Sequence, residues 1–464
     1  MVTIHLRSMK PRLRVLCGIM IMMILTWRPA AVAAADAGTA EFQGMLQAVL
    51  EALWTGQDLT PELKQKQETI KDTLRTGAVQ AADLEAMLQK MMPSVLDRQQ
   101  TSRYIQIGLP EQINALLAPQ MDWKKFKDIA WKVMASPAKK EDPMVIKLGT
   151  LAPPGTPWLS IPETVTLPEI ERLSEGKLQI KIYGGGVMGE DTDILRKIDI
   201  GQLDSCGCTA IGVLAASPDT SALLLPGLFK NYAEIDYICE KFRRRLDEGF
   251  EKKGYILAAL IDTGYFYIFS ANKITGLEDL RKQKVLTWFG AMETTLYKEL
   301  GINATPVAVP EVVSALSTGL ADTNMAPAAW MLGMQAYQYS NYYLKPPFLY
   351  CPAAVIVSSK TKERLQKQIG VSETYAQNIQ EMLVAEFNVL EPEWKKQIRA
   401  YEEKSLKAFE SKCGMKAMTF SPEDMKMIEK ASQAVLASQS GKTFSAELMA
   451  DIQKELDAYR ASKK

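Results

Sequence analysis

Two apolar periods divide this chain, and the switch between them limits its fold more than any other feature. Through residues 40–135 the apolar side chains recur at helical spacing. Phe42, Met45, Leu46, Val49, Leu50, Leu53 and Trp54 form one unbroken stripe. Leu84, Met87, Leu88, Met91 and Met92 form a second, and Trp123, Phe126, Ile129, Ala130, Val133 and Met134 a third. Spacing of i, i+3, i+4 puts each set on one helix face, which must be buried against something. Thr60 followed by Pro61 reads as a helix start, a capping hydroxyl ahead of a proline that needs no donor. Residues 36–135 are therefore expected to form a small all-α domain. Its stripes suit a bundle with its own core. They equally suit self-association, or docking of a helical protein partner, through residues 40–135.

The pattern changes across residues 136–143 (SPAKKEDP), a polar, proline-bracketed stretch expected to be a linker. After it, residues 145–148, 178–183 and 203–209 read as strands, and 158–174 and 191–200 as helices. Strands alternating with helices imply an α/β region with a largely parallel sheet. Gly184-Gly185-Gly186 lacks the spacing of a phosphate-binding loop, and no Lys-Ser/Thr pair follows it, so it reads as a turn. From about Thr361 onward the chain is mainly helical. Ser421-Pro422 and Ser445 are expected helix caps.

The first 35 residues read as an export signal. Arg7, Lys10, Arg12 and Arg14 precede an apolar run over residues 15–27, too short to span a bilayer comfortably. Ala31-Val32-Ala33 and Ala33-Ala34-Ala35 fit a signal-peptidase site. Cleavage after Ala35 leaves 50 basic against 54 acidic residues, a net charge of −4, which gives no reason to expect nucleic acid. It also removes His5, the only histidine, and with it Ser-His-Asp catalysis and histidine metal sites. No motif indicates an enzyme, a cofactor or a metal. Five cysteines remain, an odd number. Cys206 and Cys208 are spaced for one strand face rather than for redox or zinc chemistry.

From about Met144 onward the chain resembles the periplasmic solute receptors of TRAP transporters, the DctP type. Four motifs carry the resemblance in order. Ile146-Lys147-Leu148-Gly149 with Pro153-Pro154-Gly155-Thr156-Pro157-Trp158 looks like the family's first pocket loop. Leu225-Pro226-Gly227-Leu228-Phe229 is similar to its L-P-x-L-F segment. Residues 274–280 (ITGLEDL) resemble the stretch before its pocket strand. Residues 310–322 (PEVVSALSTGLAD) resemble its E-V-x-x-A-L-x-T-G-x-x-D signature. The resemblance implies a two-lobed periplasmic solute-binding fold with an interdomain cleft, preceded here by the small all-α domain. Lobe I is expected at about 144–262 and 347–390, and lobe II at about 263–346 and 391–464. Such receptors shut on a small-molecule solute by hinge motion and deliver it to a TRAP-type membrane permease.

The departures from the family pattern bear on the ligand. The family's arginine in the strand after D-L-x-G-x-K, which grips a carboxylate through a planar ion pair, falls on Leu286. Its second arginine, after a glycine and an aromatic, falls on Phe266. Its frequent asparagine before proline falls on Ala326. A cleft lacking these groups has little to offset the desolvation of a carboxylate, unless a cation such as Lys284 or Lys230 substitutes. The expected lining is Pro154, Trp158, Tyr265, Phe266, Leu286, Trp288, Asn324, Ala326 and Trp330, and the expected ligand is less anionic and more apolar than dicarboxylates or sugar acids. Strand alternation allows only one of Leu286 and Thr287 to face the cleft.

Overall fold

A computed structural model describes residues 30–98, 109–287 and 291–463. Most of the expected export signal, residues 1–29, lies outside these described residues. The chain divides between Val133 and Met134 into two compact units.

The first unit is helical among its described residues: α1 (Ala30–Thr55), α2 (Pro61–Arg75), α3 (Ala81–Leu96), α4 (Leu109–Leu117) and the start of α5 (Trp123–Ala135). The expected stripes turn inward. Leu46, Val49 and Leu50 of α1 are fully buried, as are Leu84 and Leu88 of α3 and Phe126 of α5. Trp54 and Trp123 pack on Phe126, with ring centroids 6.5 and 5.7 Å away. Thr60 caps α2 by accepting the Leu63 N–H at 3.3 Å, with Pro61 opening the first turn.

The second unit is built on one ten-stranded sheet. Its strands are β1 (Met144–Thr150), β2 (Leu178–Tyr183), β3 (Ser205–Cys208), β4 (Tyr255–Ser270), β5 (Val285–Thr287), β6 (Ala304–Pro306), β7 (Thr323–Pro327), β8 (Tyr342–Leu344), β9 (Leu349–Ser358) and β10 (Lys416–Met418). The main order is β2-β1-β3-β9-β4-β7-β5-β6. The outer groups β2-β1-β3 and β7-β5-β6 are parallel, as strand–helix alternation requires. The centre differs from the sequence expectation, because β9 and β4 run antiparallel to their neighbours and to each other. The reason is length. The 16 residues of β4 pair with β9 over Tyr255–Phe266 and with β7 over Phe266–Ser270, so one strand crosses from one half-sheet to the other. Register shifts at Leu257/Ala259 and Asp262/Gly264 mark bulges along this crossing, and Gly264 has φ +111°. The long helix Glu373–Ser411 packs along β4.

Local chemistry follows the sequence closely. Gly185 and Gly186 take positive φ, and their N–H groups donate to the carbonyls of Ala152 and Thr150 at 3.0 and 3.1 Å, which makes the triple glycine a turn. Val312, Ala315 and Leu316 share a buried face, and Gly319 ends their helix at φ +72°. Asp322 accepts the Lys284 N–H at 2.9 Å, a loop role. Ser421 and Ser445 both cap helices, accepting from Asp424 N at 3.1 Å and Leu448 N at 3.2 Å. Cys206, Cys208, Cys239 and Cys351 are free and buried, and Cys413 is free and half-buried.

Candidate functional site

At the β4–β9 crossing the loops of the two half-sheets face each other over a cavity of about 60 Å³. One wall comes from the β1 end and the turn after it, through Thr150, Leu151, Ala152, Pro153 and Trp158. Cys208 ends β3 and Thr209 follows it. Ile261, Thr263 and Phe266 come from β4, and Ala353, Ala354 and Val355 from β9. Val309, Pro327 and Trp330 come from the other half-sheet, and Phe387 and Trp394 from the long helix. Alternation along β4 is shifted by the bulge: Ile261 before it and Thr263 within it face the cavity, and after it Phe266 does so in place of Tyr265.

The lining contains no charged side chain among the described residues. Its hydroxyls are already committed. Thr150 donates to Gly207 O at 2.7 Å and accepts from Ala152 N at 3.1 Å. Thr209 donates to Asp191 at 2.6 Å, and Thr263 donates to Pro352 O at 2.8 Å. The indole N–H groups of Trp158 and Trp394 go to the carbonyls of Asp262 and Pro157 at 2.8 and 3.0 Å. Each bond holds a wall residue in place and withdraws a polar group that could otherwise meet a ligand. Asp191 is fully buried beneath this wall, where it also accepts Thr209 N and Gly212 N at 2.9 and 3.0 Å. Burial, only partly opposed by these bonds, pushes its carboxyl up to about 6.

The two rims of the cavity touch. A Cβ on Gly186, which has φ +76°, would meet Leu151 at 3.2 Å and Pro310 at 3.4 Å, and one on Gly333 would lie 2.7 Å from Thr156, so a side chain at either position would force its neighbours to move. Burial raises the pKa of Glu190, and the charge of Asp191 adds to that.

Of the expected lining residues, Trp158, Phe266 and Trp330 meet in this cavity. Pro153 takes the place expected of Pro154, which points to solvent at the tip of the turn. Tyr265, one residue from Phe266 along β4, lines a separate groove of about 650 Å³ with Phe229, Tyr350 and Lys230. Leu286 and Ala326 are fully buried in a core with Tyr267, Phe269 and Val312, behind the wall. Asn324 is fully buried, its Nδ2 donating to Met331 Sδ at 3.6 Å. Trp288 lies outside the described residues. Thr287, the alternative to Leu286, donates to Glu293 at 2.7 Å and does not line the cavity either. Neither candidate cation reaches the site: Lys284 donates to Gly319 O at 3.1 Å, and Lys230 faces the larger groove. Sequence reasoning missed Phe387 and Trp394, which follow the last pocket strand, β9, on the long helix and reach the cavity because that helix packs back on β4. The 650 Å³ groove is larger, but its wall mixes Lys230, Lys426, Glu429 and Arg460 with solvent, and Arg460 is already paired with Glu234 at 2.8 Å. The small cavity is the better candidate, because the first-loop motif lines it through Leu148, Pro153 and Trp158, whereas the L-P-x-L-F motif lines the larger groove.

Comparison with known proteins agrees with the fold. A crystal structure of the sugar acid binding protein DctPAm from Advenella mimigardefordensis, in complex with galactonate, superposes with a TM-score of 0.59 at 20% identity, over 68% of this chain and 98% of that one. A solute-binding protein of Chromohalobacter salexigens is 25% identical over 204 residues, 43% of this chain and 60% of its own length. The ectoine-binding periplasmic protein TeaA of Halomonas elongata is 25% identical over 167 residues, 35% of this chain and 48% of its own. The chain thus spans about 60% or less of the length of these curated relatives. The family model for DctP matches residues 149–442, more than half of the chain. The two-lobed fold and this match together place the chain in the DctP family, the bacterial extracellular solute-binding proteins of family 7.

Proposed function

We propose that this chain is an extracytoplasmic receptor that captures a small, weakly polar solute between two lobes and hands it to a TRAP-type membrane permease. The lobes are proposed at about 144–262 with 347–390, and 263–346 with 391–464. Export by the N-terminal signal would make the protein periplasmic. The observation that carries the ligand class is the cavity wall, which has no charged side chain among the described residues and whose threonine hydroxyls are spent on the protein itself. A carboxylate brought there would lose its hydration and gain no donor, a cost of several kcal/mol. An apolar or aromatic solute would lose little and gain contact with Trp158, Phe266, Trp330 and Phe387. The role is binding, with no reaction. Native mass spectrometry of protein purified from the periplasm, with the extracted ligand identified, tests this. An uncharged apolar molecule bound one to one is the expected result. A dicarboxylate or sugar acid would keep the receptor and sink the ligand class.

A second reading rests on size. The cavity is about 60 Å³, against roughly 150 Å³ for an apolar cavity that takes up benzene. A cavity of that size has no room for such a solute without rearrangement of its walls. That favours, as the alternative, a binding fold used as a sensor or assembly protein, with the helical unit docking a protein partner or a second copy. Copurification of a helical partner with no solute in the cleft would select it.

A further inference from the structure

The long helix aims two glutamates at the bulges of β4, and they are treated differently. Glu391 accepts the Leu260 N–H at 2.9 Å and is flanked by cations: Arg243 at 2.8 Å and Lys395 at 2.8 Å. Burial works against its charge, but those two cations hold its carboxyl below the usual range. Glu402 accepts the Tyr265 N–H at 3.3 Å beside the Gly264 bulge, and its other partners are two phenols. Tyr232 donates to it at 2.6 Å and Tyr267 at 3.1 Å. The nearby guanidinium is committed elsewhere. Arg399 gives its Nε to Asp262 at 2.7 Å and both terminal nitrogens to Asp236 at 2.7 Å, while Asp262 also accepts from Tyr350 at 2.8 Å. Glu402 is thus 4% exposed, surrounded by neutral donors, with the negative Asp262 beyond them. Burial pushes its carboxyl up to about 7 against the pull of those hydrogen bonds.

Its position matters as much as its environment. Tyr232 belongs to the helix Tyr232–Lys241 on one side of the crossing, whereas Tyr265 and Tyr267 follow the bulge. A Cβ on Gly264 would sit 2.7 Å from Glu402 Oε2. Rotation of the strand at Gly264 therefore cannot keep all three bonds. We propose that Glu402 is a proton-operated hinge element that regulates the cleft: neutral, it lets the lobes rest shut, and ionised, it favours the rotation that admits water to it. The proposal rests on the receptor reading for its biological use, though not for its test. It deepens that reading by making solute retention pH-dependent, tightest below neutrality and released above it. One proton coupled to opening changes the open-to-shut ratio by at most about tenfold per pH unit.

The test is pulsed electron paramagnetic resonance on the full chain without solute. Spin labels go on Val187→Cys and Leu320→Cys, both strongly exposed, in a Cys413→Ser background. The label separation is expected to lengthen as pH passes through about 7, and Glu402→Gln is expected to hold the short distance at every pH. A wild-type separation that ignores pH, or an identical transition in Glu402→Gln, overturns the proposal. If Glu402→Gln does not fold by circular dichroism, Tyr267→Phe serves instead. It removes a donor to the carboxylate, so the midpoint should move to higher pH, and an unmoved midpoint overturns the proposal. A hinge that responds while no solute is ever found would sink the receptor reading alone. A solute found with a flat pH profile would sink the hinge alone.

Discussion

Phe266 shows how one residue sets the character of a cleft. It is fully buried on β4 and faces the cavity, where the family pattern has an arginine. Phe266→Arg should cost about 3–5 kcal/mol of stability, because a lone guanidinium there has no acid to pair with. Added small carboxylates should then raise the melting temperature of the variant and leave the wild type unchanged. Differential scanning fluorimetry against an acid panel reads both effects. Glu402 supplies the second prediction at this scale. Its folded pKa of about 7 lies above the usual carboxylate value of 4.5, so the folded state binds the proton more tightly. Its contribution is therefore fully present below pH 4.5, declines as pH rises toward 7, and stays flat above that. Glu402→Gln should gain on the order of 3 kcal/mol over wild type at pH 8 and show little gain at pH 4. Urea titrations across that range measure it.

At the scale of elements, β4 carries most of the architecture. Its bulge inverts which residues face the cleft, so Ile261 and Thr263 share a wall with Phe266 while Tyr265 points to the other groove. Gly264→Ala meets a positive φ and a 2.7 Å contact with Glu402 at once. It should lose about 2–4 kcal/mol in chemical denaturation, more than an exposed glycine at a turn such as Gly201. Helix ends, the triple-glycine turn and the signature helix were legible in the sequence because capping and glycine conformations act within a few residues. Lining residues in the outer strands were not. Leu286 and Ala326 sit at strand positions that alternation allowed to face either way, and packing turned them into the core.

At the scale of the whole molecule, the chain divides into two compact units with separate cores. Residues 134–464 expressed alone should fold cooperatively and carry the same bound ligand as the full chain, since every described lining residue lies within them. Loss of that ligand in the shortened protein, seen by native mass spectrometry, would give the helical unit a part in binding.

The sequence alone determined the change from helical to alternating period, the helix caps, the four motifs in order, and the loss of the arginines. All of these depend on spacing along the chain and on side-chain chemistry. Only the tertiary structure decided that β4 and β9 join the half-sheets antiparallel, that a bulge switches the face of β4, and that Phe387 and Trp394 return from the long helix to close the cavity. It also decided that the threonines in the wall are already bonded and that Glu402 is buried with two phenols and a backbone N–H as its partners. Those facts depend on which distant groups meet, and hydrogen-bond saturation and desolvation exist only once they have met.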